Sequence, residues 1–208
     1  MADLVLDWSA LGAYGTNLDG TTTTVDAGGV AVGITFTPQD AEAQAFTVTY
    51  DGYVPEGSDT DPNSHLKLFG AGGDGGGSVS STSTTVLDFS ATDDAYGDEV
   101  QNVSFILNDV DSGTGGDLAD LAEYNGGGTV ESDWQDNVTI LAYDAEGNAV
   151  DVTMNVLGGA TSVSGDTATG SGTTDFAEQD GTLQVSITGP VSSIEIVYAN
   201  GGNATQGV

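Results

Sequence analysis

The chain has 208 residues, 38% of them hydrophobic, which is enough for one sizeable core and an ordinary length for a single β-sandwich domain. Against 32 acidic residues stand one lysine, Lys67, and one histidine, His65, giving a formal net charge of −31. That balance excludes nucleic acid as a partner, because phosphate binding needs Lys and Arg, and it argues equally against an anionic membrane surface. No apolar run is long enough for a transmembrane helix, so membrane insertion is not expected.

Glycine accounts for 32 residues, and Thr, Ser, Asn and Asp fill much of the rest, the usage of strands joined by many turns. Cysteine is absent, so no disulfide framework exists. Together with the acidity, this reads as a protein stapled by metal. Local clusters of carboxylates need relief from divalent cations, high salt or a cationic partner. The N-terminal Met1-Ala2-Asp3-Leu4 lacks the basic and apolar regions of a secretory signal. Three routes stay open: a signal already removed, an export route that reads the other end, or a protein that stays inside.

In chain order, Leu4, Leu6 and Trp8 suggest a first strand, and Gly12 to Gly20 a loop. Thr21 to Asp26 and then Val30, Val32, Ile34 and Phe36 read as a hairpin through Ala27-Gly28-Gly29. Phe46, Val48 and Tyr50 form another alternating strand, Asp51 to Asn63 a loop, and His65 to Phe69 a short strand. Gly70 to Ser83 is low-complexity glycine and serine, read as a surface loop rather than a linker. A strand resumes at Val86 to Ser90. The acidic turns Asp93-Asp94 and Asp98-Glu99 follow it.

Val103, Phe105 and Leu107 then alternate with polar residues, and this strand ends in Asp109-Val110-Asp111-Ser112-Gly113. An acidic, glycine-laced loop contains one plausible helical turn, Asp117 to Tyr124. The chain re-enters the core through Asp133-Trp134-Gln135-Asp136, continues as Val138, Ile140 and Ala142, and stops at the turn Asp144 to Asn148. Val150, Val152, Met154 and Val156 alternate. Val163 to Gly170 reads as a strand pair around Gly165-Asp166. Leu183, Val185 and Ile187 lead to the turn Gly189-Pro190 and a last alternation, Ile194, Ile196 and Tyr198. Such spacing predicts an all-β fold, an antiparallel sandwich of jelly-roll type with long acidic and Gly-rich loops, as a single domain over 1–208. Gly201 to Val208 reads as a loop with no strand after it, so a closing C-terminal strand is missing from the pattern and the end is either a truncation or a boundary within a longer protein.

Calcium takes several oxygen ligands from carboxylates, carbonyls and water. Asp109 and Asp111 lie two apart and face one side of an extended segment, and Asp136 follows Trp134 by the same interval. If the two strands pair, all three carboxylates converge at one sheet end, and repulsion among them calls for a cation. Asp109, Asp111 and Asp136 are therefore the expected ligands of Ca2+. The competing reading is that each caps a turn. Asp117, Asp120 and Glu123 fit a solvated face, Asp144 and Glu146 fit turn chemistry, and the EF-hand pattern is absent. Gly72 to Gly77 fails the register of calcium β-roll repeats and is read as a loop.

Catalytic chemistry has little to work with. A triad would have to use His65, no Arg is available for an oxyanion or phosphate, and there is no thiol. A carboxylate pair for glycoside hydrolysis is conceivable in so acidic a chain, but nothing selects one. Trp8 and Trp134 sit in apolar alternations and belong to the core. Tyr14, Tyr53, Tyr96 and Tyr124 lie in loops, where they offer limited support for a sugar-binding surface.

Val103 to Gly113, Trp134 to Asn148 and Gly189 to Tyr198 together resemble a β-sandwich module of large secreted and cell-surface bacterial proteins, calcium-dependent RTX-type adhesins among them. The resemblance covers roughly the C-terminal three-fifths. It implies an extracellular or cell-surface location, calcium dependence carried by Asp109, Asp111 and Asp136, and a non-enzymatic role in adhesion or in surface or matrix assembly. The implied partners are other copies or neighbouring domains of a surface protein. In such modules the segment matching Tyr198-Ala199-Asn200-Gly201-Gly202 precedes one more strand. The alternative expectation is a carbohydrate-binding, lectin-like module with glycan partners.

Overall fold

The computed structural model describes residues 5–39, 43–48, 64–70, 80–114, 133–175, 178–201 and 206–207. Period-two alternation governs its largest sheet. In β2 (Val30–Pro38), Val30, Val32, Ile34 and Phe36 are buried while Thr35 and Thr37 lie on the other face. In β14 (Ser193–Asn200), Ile194, Ile196 and Tyr198 point inward in the same way. The hairpin from β1 (Thr22–Asp26) to β2 turns through Ala27-Gly28-Gly29 as expected, with Gly28 and Gly29 at positive φ and the Asp26 carboxylate accepting both their N–H groups.

Among the described residues this sheet has nine strands, running β1-β2-β5-β14-β8-β12-β11, with β7 and β9 also paired to β8. Its remaining strands are β5 (Ser80–Ala91), β7 (Ser112–Thr114), β8 (Asp133–Tyr143), β9 (Ala149–Val150), β11 (Thr161–Ser164) and β12 (Thr167–Gly170). β14, late in the chain, lies at the centre, zipped to β5 on one side and β8 on the other. Two three-stranded sheets share the hydrophobic core with it. One joins β10 (Val152–Val156), β13 (Leu183–Ile187) and β6 (Val103–Leu107). The other joins β3 (Gln44–Val48), β4 (His65–Gly70) and β15 (Gln206–Gly207). Every strand pairing among the described residues is antiparallel, and none of these residues is α-helical. The fold is the expected all-β, antiparallel, sandwich-like one, with Ile34, Ile140, Ile194, Leu183, Val185 and Ile187 at its buried centre.

Several expectations are corrected. Leu6 and Trp8 are not in a strand: Asp7 caps a 3-10 turn over Trp8–Leu11 by accepting the Ser9 N–H, and Trp8 and Leu11 pack onto the core from there. Ser80 to Ser83 belongs to β5 rather than to a loop, because it pairs with the end of β14. β15 adds to β4 through Gln206 opposite Gly70, so the end of the chain contributes a strand. The stretch read as one strand ending at Gly113 divides: β6 at 103–107 lies in a different sheet from β8, while β7 at 112–114 pairs with 133–135. Leu4, Tyr50, the loops at 51–63 and 71–79 and the helical turn at 117–124 fall outside the described residues.

Candidate functional site

Between β6 and β7 the chain leaves one sheet and enters the other, and the acidic segment Asp109-Val110-Asp111 is that crossover. Its backbone is tied at successive positions. Val110 N–H donates to the Gly181 carbonyl at 3.0 Å, Ser112 N–H to the Gly172 carbonyl at 3.0 Å, and Asp136 N–H to the Asp111 carbonyl at 2.9 Å. The Thr161 hydroxyl donates to the Val110 carbonyl at 2.6 Å. Three glycines let neighbours press in: a Cβ at Gly170 would meet the Asp111 carbonyl, one at Gly113 the Trp134 ring, and one at Gly181 the Thr174 methyl and the Asp109–Val110 backbone. Asp109 itself sits at φ 63, a left-handed conformation that Asp adopts more readily than most residues.

The antiparallel pairing of β7 with β8, with Ser112 opposite Gln135 and Gly113 opposite Trp134, brings Asp111 to Asp136 at the next position along. Asp136 has the parity of Trp134, Val138 and Ile140 on β8, and so stands on the core face. It is 0% exposed and Asp111 1%. Asp111 N–H donates to Asp136 Oδ2 at 3.2 Å, and the Tyr198 hydroxyl, diagonal to it on β14, donates to Asp136 Oδ1 at 2.7 Å. Asp111 Oδ1 accepts from Trp134 Nε1 at 2.6 Å and Oδ2 from Thr174 N–H at 2.9 Å. All four carboxylate oxygens of the buried pair therefore have a protein donor, as buried polar groups require. Tyr198, Thr174 and the indole nitrogen of Trp134 are the members that sequence reasoning missed. The signal available for them was the core parity of Asp136.

Asp109 differs. It is half-buried, and among the described residues no hydrogen-bond donor reaches its carboxylate. Burial, reinforced by the Asp111 charge, pushes its pKa up to about 7, against an opposing pull from Lys67. Burial also raises Asp111 despite its donors from Thr174 and Trp134. It holds Asp136 well above the usual carboxylate range despite the bond from Tyr198, with the charges of Asp111 and Asp109 adding to the effect. Three carboxyl groups thus share an interior with too little positive charge, and as a set they retain protons or attract a cation.

Calcium asks for six to eight oxygens. Asp109 supplies a carboxylate with no donor among the described residues, and Asp111 and Asp136 keep second lone pairs on oxygens already bonded. Among the described residues no group of three or more metal-ligating side chains is arranged to hold an ion, so these three alone do not complete a cage. Asp117, Asp120 and Glu123 lie outside the described residues. Asp144 accepts from the backbone N–H groups of Glu146 and Asn148 and from the Asn148 amide, the turn role expected for it.

No family model matches the chain, and no curated protein or solved structure is significantly similar to it.

His65 begins β4 opposite Val48, half-buried. Of the loop tyrosines, Tyr14 is exposed, whereas Tyr96 lies against Gly29, where a Cβ would strike its ring. Tyr53 and Tyr124 fall outside the described residues. No described helix is long and apolar enough to cross a membrane.

Proposed function

We propose that this protein is a non-enzymatic, calcium-stabilised, extracellular β-sandwich module that acts in adhesion or in surface or matrix assembly. The observation that carries the reading is the convergence of Asp109, Asp111 and Asp136 in the interior of a chain whose only lysine is Lys67. A divalent ion at the Asp109 side of this cluster would offset repulsion that the chain's own cations do not. The proposed ligands are Asp109, Asp111 and Asp136, of which Asp109 has the carboxylate with no donor among the described residues. When bound, the ion would supply charge neutralisation and a cross-link between the crossover and the sheet. The resemblance to modules of secreted and surface proteins supports the location and the adhesive role.

Catalysis finds little support. The carboxyl pair Asp111 with Asp136 is buried and its oxygens are occupied by protein donors. Thermal unfolding in calcium, in chelator and in sodium chloride at matched ionic strength tests the proposal. Calcium should raise the midpoint above both other conditions, because an ion that binds only the native state stabilises it. Equal midpoints in calcium and sodium would reduce the effect to general screening and overturn the reading.

A further inference from the structure

Most hydroxyl groups buried in this chain are bonded. Thr47 donates to the Ala13 carbonyl, Thr82 to that of Tyr198, Thr161 to that of Val110, and Thr182 to the Asn108 amide oxygen. Among the described residues, two buried side-chain oxygens have no hydrogen-bond partner: Ser83 Oγ and Thr85 Oγ1. Both residues are 0% exposed. The two are not scattered. They lie two apart on β5 with the parity of buried Leu87, so both side chains stand on its core face, about 6.7 Å apart at Cα. In the sheet, Ser83 lies between Pro38 of β2 and Tyr198 of β14, and Thr85 between Phe36 and Ile196. None of these four has a polar side-chain group to spare. Three are apolar, and the Tyr198 hydroxyl is committed to Asp136 Oδ1 at 2.7 Å. Ser83 is smaller than each of these neighbours. The β5–β14 register also shifts at the next position, between Tyr198 and Ala199, which leaves Thr82 as an extra residue on β5. A small side chain and a bulge thus coincide where the hydroxyls lack partners.

We infer that Ser83 and Thr85 form a binding site for one internal water molecule, shared by the two hydroxyls and built into the folded core. A hydroxyl bonds a water oxygen at about 2.7–2.8 Å, so a single water spans two hydroxyls up to about 5.5 Å apart. That is within reach of side chains two apart on one strand face. Adjacency is what a shared partner requires, whereas two independently dry hydroxyls have no reason to be neighbours. Internal waters characteristically bond two to four buried polar groups that the protein leaves unsatisfied, and a buried hydroxyl with no partner at all is costly. Two neutral hydroxyls are too few for calcium, which asks for six or more oxygens. The water joins the β5 segment beside the bulge to the core by bonds that no side chain there supplies.

The inference is independent of the calcium reading, and calcium is held constant throughout its test. Thr85→Val keeps the shape of the side chain and removes the hydroxyl. If a water is shared, this takes away one of its two anchors and leaves Ser83 poorly satisfied, so the urea midpoint should fall. Ser83→Ala should lower it as well. The double variant leaves no hydroxyl to satisfy, so its midpoint should lie above the value that the two single shifts add up to. Dry hydroxyls predict the opposite sign: Thr85→Val alone would raise the midpoint, because it removes an unpaired buried group. A high-resolution crystal structure of the wild type gives an independent readout and should show one ordered water within hydrogen-bond distance of both Ser83 Oγ and Thr85 Oγ1. A midpoint for Thr85→Val at or above that of the wild type, or electron density in which the two hydroxyls bond only protein atoms or nothing, would overturn the inference.

Discussion

Replacing Asp109 by asparagine distinguishes a carboxylate that burdens the fold from one that serves a cation. In the folded protein its carboxyl titrates at about 7, against an ordinary value of 3.8. Between those two pH values the folded state binds more protons than the unfolded one, so stability must fall as pH rises. Roughly 3 units at about 1.4 kcal/mol each set a ceiling near 4 kcal/mol, and the side chain's partial exposure lets solvent reduce this to about 2. Asp111 and Asp136 are also raised and act in the same direction. In chelator the wild type should therefore be more stable at pH 5 than at pH 8. Asn tolerates the left-handed backbone at this position. Asp109→Asn should accordingly gain about 2 kcal/mol at pH 8 in chelator, a rise of about 4–8 °C for a chain of this length, and lose much of its response to calcium. Urea unfolding followed by tryptophan emission is the natural assay, because one of the two indoles, that of Trp134, is bonded to Asp111. A variant with the wild type's pH slope, or one less stable than wild type at pH 8 in chelator, would refute the reasoning.

Tyr198→Phe leaves Asp136 Oδ1 without its donor inside the core and should cost about 1.5–3 kcal/mol by urea unfolding at pH 7. No measurable loss would mean the bond does not stabilise the fold. Gly170→Ala drives a methyl into the Asp111 carbonyl and should cost about 1–3 kcal/mol or more, with an accompanying change in tryptophan emission as the crossover shifts. Ile140→Ala, at a fully buried position on β8, should cost about 2–5 kcal/mol by thermal melt, which sets the scale for the polar changes.

Strands with one buried face were legible from their alternation: β2, β13 and β14 fall on the runs from Val30, Leu183 and Ile194, whereas the run from Val150 to Val156 divides between β9 and β10. Local turns were legible too, as at Gly28-Gly29 and Gly165-Asp166. What alternation cannot carry is which strand lies beside which. β6 and β8 are close in sequence, yet they lie in different sheets, and only the short β7 beyond the tied crossover at Asp109 to Asp111 pairs with β8. The Leu6–Trp8 spacing suited a strand, but Asp7 supplied a cap that the alternation does not encode. Ser80 to Ser83 looked like a loop by composition and is a strand only because β14 reaches it. In the candidate site, the three aspartates were visible as residues, but the donors from Tyr198 and Thr174 come from 62 and 63 positions away and follow from the fold alone.

The central seat of β14 imposes a timetable on biosynthesis. Until residues 193–200 have left the ribosome or crossed an export channel, β5 and β8 cannot be joined, and the largest sheet exists only as two halves with bare inner borders. A nascent chain in that state exposes what aggregates most readily, and contacts spanning more than a hundred residues form slowly. The strong mutual repulsion of its acidic side chains then serves a purpose before folding as well as after, keeping unfinished molecules apart while they wait for their last long strand.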